Sequence, residues 1–166
     1  MHIREAIVGD GENLAILIKQ VEAQSEYMLM EAGERKLSVE QQQKMIDRFN
    51  RSGNSAILLA ETDEQQLVGY IIIVGGTAKR TLHSAYLVVG ILKDYCGMGV
   101  GTSLFQHLDQ WAREKELSRL ELTVVTENEA AVSLYKKSGF DIEGVKRGSF
   151  VKDGEFFDEY YMGKLI

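Results

Sequence analysis

The chain has 166 residues with 45% hydrophobic and 27% charged side chains, proportions that exclude a disordered, collagen-like or coiled-coil protein and predict one domain over residues 1–166. Its single cysteine, Cys96, has no partner in the chain for a disulfide, and no His or Cys spacing suits a metal, so a fold held by packing in a reducing, cytoplasmic setting is expected. With 25 acidic against 19 basic residues there is no basic field for nucleic acid, and neither the charged N-terminus nor the longest apolar run, Leu67 to Val74, provides an export signal or the roughly 20 residues of a membrane span.

Met1 to Ile7 reads as a short first strand closed by the turn residues Gly9-Asp10-Gly11. Asp10 or Asn13 can cap a helix whose buried face is Leu14, Leu17, Ile18 and Val21. Ser38-Val39-Glu40-Gln41 has the form of a capping box and predicts a second helix to about Phe49. The intervening stretch, Glu22 to Lys36, holds Glu22, Glu26 and Glu31 without clear periodicity and reads as a lid or a loop.

Ala56 to Ala60 and Leu67 to Val74 predict two paired strands, and Leu82 to Leu92 a third that ends in a glycine cluster. A helix follows over Gly99 to Lys115, with Leu104, Phe105, Leu108, Trp111 and Ala112 on its apolar face. Leu120 to Val125 reads as a strand, Glu129 to Lys137 as a short helix ended by Gly139, and Phe140 to Val151 and Phe156 to Ile166 as a hairpin turning at Asp153-Gly154. The whole is an α+β pattern with a largely consecutive sheet.

Chemistry concentrates at the glycine cluster Cys96-Gly97-Met98-Gly99-Val100-Gly101-Thr102. Glycines let backbone N–H groups approach a ligand, and a helix start adds unpaired donors and a positive dipole end, so a pyrophosphate is the expected guest; a plain flexible turn is the alternative. No lysine follows Gly101, which excludes a P-loop, and Thr102 and Leu104 stand where a dinucleotide fingerprint needs glycine.

Placed between a strand and a helix, Cys96-Gly97-Met98-Gly99-Val100-Gly101 resembles the pyrophosphate loop of the GNAT superfamily of N-acetyltransferases, Gln/Arg-x-x-Gly-x-Gly/Ala, with Cys96 in place of the first side chain. Asn128-Glu129-Ala130-Ala131-Val132-Ser133-Leu134-Tyr135-Lys136-Lys137-Ser138-Gly139-Phe140 is similar to the family's Asn-x-x-Ala-x-x-Leu-Tyr-x-x-x-Gly-Phe. Asn128 and Tyr135 lie about two helical turns apart and share a face; read alone, they fit a helix cap and a core aromatic equally well.

The resemblance implies a mixed, mostly antiparallel sheet of about seven strands with helices on both faces and a fourth and fifth strand that splay apart. It implies acetyl-CoA as co-substrate and no metal. Val89, Gly90 and Ile91 would line its pantetheine arm, Cys96 to Thr102 its pyrophosphate, and Asn128 would orient it. Tyr135 would protonate the departing thiolate after direct attack by a primary amine of a small molecule or peptide N-terminus. Glu26 and Glu31 are weak candidates for the acceptor side, where a solvated acidic face is the other reading. A non-catalytic acyl-CoA sensor on the same fold, a longer acyl donor and an acetyl-Cys96 intermediate are the competing functions, and a homodimer is the assembly to test. At a helix start the Cys96 thiol is expected to have a lowered pKa.

Overall fold

The computed structural model describes residues 1–166. The chain runs β1 (His2–Glu5), α1 (Gly11–Gln24), α2 (Val39–Arg51), β2 (Ala56–Glu61), β3 (Leu67–Gly75), β4 (Ser84–Ile91), α3 (Val100–Glu114), β5 (Arg119–Val125), α4 (Glu129–Lys137), β6 (Asp141–Lys152) and β7 (Glu155–Leu165). One seven-stranded sheet has the order β1-β2-β3-β4-β5-β7-β6, antiparallel throughout except for β4 beside β5. This is the mixed α+β architecture expected from the sequence.

Alternation along the strands assigns the faces. Gly69 and Ile91 lie against Val100 of α3, while their neighbours Tyr70 and Gly90 look to the other side, where α1 packs on β3 and β4. The core joins both sides of the sheet, from Leu14, Leu17 and Ile18 of α1 to Leu104, Phe105 and Leu108 of α3. No helix is long and apolar enough to cross a membrane.

Three local readings change. Asp10 stands before α1, but its carboxylate accepts two bonds from the Arg4 guanidinium, at 2.8 and 2.9 Å, and one from Ile7 N–H at 2.8 Å instead of capping the helix. Arg4 thereby holds the Asp10 carboxyl below its ordinary pKa. Next, α1 extends to Gln24, so Glu22 belongs to the helix and not to the connecting segment. Finally, β4 begins at Ser84, two residues later than the apolar pattern predicts.

Candidate functional site

The pairing of β4 with β5 sets up the site. It covers only Ser84 to Tyr86 against Arg119 to Glu121, after which the strands separate, while β5 stays paired with β7 through Val125. Leu92 N–H bonds Val68 O on β3, and the alternation of an antiparallel ladder therefore turns the backbone groups of Leu87, Val89 and Ile91 toward the opening. Of the three residues expected to line a ligand by their backbones, Val89 and Ile91 present theirs and Gly90 directs its own to β3. Gly90 contributes space instead: a β-carbon there would overlap the phenol end of Tyr70.

Below the opening, the chain leaving β4 turns at Lys93 to Tyr95 and enters the glycine loop. Gly97 and Gly99 take φ of +75° and +83°, with no atom within 4 Å of the side chain each lacks. Gly99 is the N-cap of α3 and offers no side-chain acceptor. As a result, none of the six amides from Gly97 to Thr102 donates to a protein acceptor; the next one, Ser103 N–H, bonds Gly99 O at 3.0 Å. Met98 is exposed, Val100 is buried, and Gly101 makes room for Leu134, so α3 and α4 can approach closely. Six adjacent free donors at a positive helix end suit phosphate oxygens.

Tyr135 is buried on α4, edge-on to Phe105 at 5.6 Å between ring centres and close to Phe140 at 6.3 Å. Its hydroxyl has no hydrogen-bond partner, and burial, with a smaller contribution from Tyr86, pushes its pKa well up, so it carries its proton at neutral pH. Tyr86 on β4 meets Thr123 Oγ1 on β5 at 2.8 Å, beside the end of the ladder. Asn128 caps α4, accepting Ala131 N–H on Oδ1 at 3.3 Å, which leaves its amide nitrogen free.

One expectation fails at Cys96. The thiol sits among backbone carbonyls, 3.5 Å from Leu92 O, and partial burial raises its pKa where the helix start was expected to lower it. The amides of α3 lie beyond it in the chain and do not reach its sulfur.

The acceptor-side glutamates separate in the structure. Glu26 is exposed and pairs with Lys152 at 3.2 Å, whose Nζ also lies 5.2 Å from the Tyr27 ring, so the end of the β6–β7 hairpin meets the α1–α2 segment here. Glu31 is exposed and its N–H bonds Glu34. Glu22 is 3% exposed and pairs with Arg35. Glu22, Tyr70 and Gln24, whose Oε1 accepts Lys93 N–H at 2.8 Å, are the neighbours of the opening that the sequence reading missed. Two signals pointed there: position 22 continues the buried i, i+4 series from Leu14 and Ile18, and a glycine inside β4 marks a close approach.

A sheet opened between its fourth and fifth strands, with an uncapped helix start beneath the opening, defines the acetyltransferase type of α+β domain. Residues 22–140 match the profile of the acetyltransferase (GNAT) family, and the chain belongs to that family. Over 103 residues it is 32% identical to the L-amino acid N-acetyltransferase AaaT of Escherichia coli strain K12, a match covering 60% of this chain and 62% of that one; the chain thus spans about three fifths of that relative's length. The solved acetyltransferase of the GNAT family from Streptococcus pneumoniae is 33% identical over 99% of both chains, with a TM-score of 0.95. The acetyltransferase yncA of Salmonella typhimurium, solved with its cofactor acetyl-CoA, shares the fold at 17% identity, with a TM-score of 0.87 over 99% of this chain and 93% of that one.

Proposed function

We propose that the protein is an acetyl-CoA-dependent N-acetyltransferase that moves an acetyl group directly to a primary amine. The observation that carries this reading is the series of unclaimed polar groups: Val89 and Ile91 backbone at the opening, six free amides from Gly97 to Thr102 beyond the turn that leaves β4, and the Tyr135 hydroxyl, which makes no hydrogen bond to another protein group. An extended amide chain attached to a pyrophosphate fits that series group by group. Val89 and Ile91 would hold the pantetheine arm, Gly97 to Thr102 the pyrophosphate, and Asn128 Nδ2 a polar group of the arm. Gly90 keeps the phenol of Tyr70 close to the same strand.

Bound acetyl-CoA supplies a thioester carbonyl open to attack by nitrogen. In this reading a free N–H of β4 polarises that carbonyl, and Tyr135 is the general acid toward the departing sulfur, a role that needs a hydroxyl still protonated at neutral pH. Cys96 is no nucleophile in this scheme, because its raised pKa keeps it a thiol and it stands at the phosphate end of the series.

The acceptor is a small molecule or a peptide N-terminus. L-amino acids are the first class to test, since AaaT is named for them. A screen of thiol release from acetyl-CoA against amino acids, polyamines, aminoglycosides and N-terminal peptides tests the reading. Release with at least one class is expected; tight acetyl-CoA binding without release for any of them would favour the sensor.

A further inference from the structure

On the face of the sheet that carries α1, polar groups without partners gather where β4 parts from β5. Glu22 is 3% exposed; its Oε1 accepts from Arg35 Nε at 2.6 Å, and its Oε2 is buried with no hydrogen-bond partner. Tyr70, 1% exposed, lays its phenol over Gly90 of β4, and its hydroxyl makes no hydrogen bond to another protein group. Tyr135 comes to the same opening from the other face of the sheet. An unsatisfied buried oxygen costs about 1–3 kcal/mol, and more when charged, so stability does not explain the arrangement.

Resting on the direct-transfer reading above, we propose that Glu22 takes up the proton that the acceptor ammonium must lose before attack, with the Tyr70 hydroxyl relaying it from the opening. An alkyl ammonium has a pKa of about 10, so only about one acceptor in a thousand is a free amine at neutral pH, and a proton acceptor near the acceptor nitrogen is needed. Glu26 and Glu31 are exposed, and Glu26 is tied to Lys152, whereas Glu22 is the buried carboxylate with an unused oxygen. The charged and titratable groups that face the relay are Arg35 from the α1–α2 segment, Tyr70 from β3, and Tyr135 and Tyr86 at the opening. Burial first, and then the Glu22 charge, raise the Tyr70 pKa, so Tyr70 keeps its proton at neutral pH.

The protons balance. The ammonium gives one proton to Tyr70 oxygen as Tyr70 gives its own to Glu22 through water; Glu22 then releases it to solvent at the partly exposed Arg35 edge. As the N–C bond forms and the C–S bond breaks, the thiolate takes the proton of Tyr135, and the second nitrogen proton, passed through water, restores the Tyr135 hydroxyl. The products are the N-acetyl amide, the free thiol and one proton. Arg35, permanently charged, holds Glu22 in place and takes no part in the transfer.

The test compares two acceptors at equal acetyl-CoA: the alkyl amine that supports the fastest thiol release, and the acyl hydrazide of the same skeleton, which is unprotonated at pH 7. Glu22→Gln is expected to slow the alkyl amine roughly 10²- to 10³-fold at pH 7. That rate should recover about tenfold per pH unit as the amine deprotonates, while the hydrazide slows only a few-fold and acetyl-CoA affinity by calorimetry stays at the wild-type value. Tyr70→Phe, which removes no charge and keeps the packing over Gly90, should show the same preference for the hydrazide and serves if Glu22→Gln fails to fold. Equal losses with both acceptors, or a pH profile unchanged from wild type, overturns the relay while leaving the transferase reading intact. Wild-type protein that binds acetyl-CoA and releases no thiol with either acceptor overturns both.

Discussion

Three helices of this protein, α2, α3 and α4, begin differently, while α1 runs on from a turn in which Gly11 N–H bonds Val8 O and its N-cap Asp10 makes no side-chain cap bond. At α2, Ser38 Oγ accepts Gln41 N–H at 3.1 Å and Gln41 Oε1 accepts Ser38 N–H at 3.3 Å; at α4, Asn128 accepts Ala131 N–H. At α3, Gly99 supplies nothing, and six amides stay open. A side-chain cap is worth about 1 kcal/mol, so α3, which has a left-handed glycine at its start and neither a side-chain cap nor a preceding turn to take its amides, gives up stability that α2 and α4 keep. That start lies under the opening between β4 and β5. A start whose amides find no acceptor is therefore the mark of a ligand site, and the capped starts of α2 and α4 are the internal standard against which it can be measured.

The largest expected effect falls on chemistry and leaves all three helix starts intact. Tyr135→Phe should lower turnover by roughly 10²- to 10⁴-fold, as for loss of a general acid, with acetyl-CoA affinity little changed. Unaltered turnover in a steady-state assay would remove Tyr135 from the mechanism. Breaking the bare start comes next. Gly99→Asp places a carboxylate beside the open amides, and charge-assisted hydrogen bonds contribute about 1.5–3 kcal/mol each, so the acetyl-CoA Kd should rise about 100-fold in calorimetry. A wild-type Kd would show that the loop does not hold the phosphates.

The capped starts should answer in stability alone. Ser38→Ala should cost about 1 kcal/mol in denaturant unfolding with no change in acetyl-CoA Kd. Asn128→Ser sharpens the case of α4: the cap is kept without adding a charge, and a direct contact of Asn128 Nδ2 with the ligand would make affinity fall. The smallest effect concerns Asp10. Its carboxyl has a lowered pKa in the folded protein because of Arg4, so the pair contributes stability in full above the ordinary carboxylate range, and that contribution fades as pH falls through the folded pKa. Asp10→Asn should therefore flatten the acid limb of a stability profile, and an acid limb identical to wild type would contradict the Arg4 pairing.

Much of this was legible from local chemistry. The Ser38 capping box, the limits of α4 from Glu129 to Lys137, and the hairpin turn at Asp153-Gly154 all depend on neighbours a few residues apart, and each formed as its residues require. The glycine loop was legible for the same reason. What lay out of reach was decided across the sheet. Asp10 abandons the cap because Arg4 arrives from β1, and the Cys96 thiol is raised because its turn partly buries it against the end of β4. Glu22 differs from Glu26 and Glu31 in lying on the buried face of α1, and its pairing with Arg35 is made only when the α1–α2 segment folds back on the helix.

Amide hydrogen exchange, read residue by residue with and without saturating acetyl-CoA, tests the central contrast most directly. Gly97 to Thr102 should exchange fast in the free protein and gain strong protection on binding, while Gln41 and Ala131, already bonded at the capped starts, should change little. Exchange at Gly97 to Thr102 that is unaltered by acetyl-CoA, or protection spread equally over all three helix starts, would contradict the assignment of the α3 start as the ligand site.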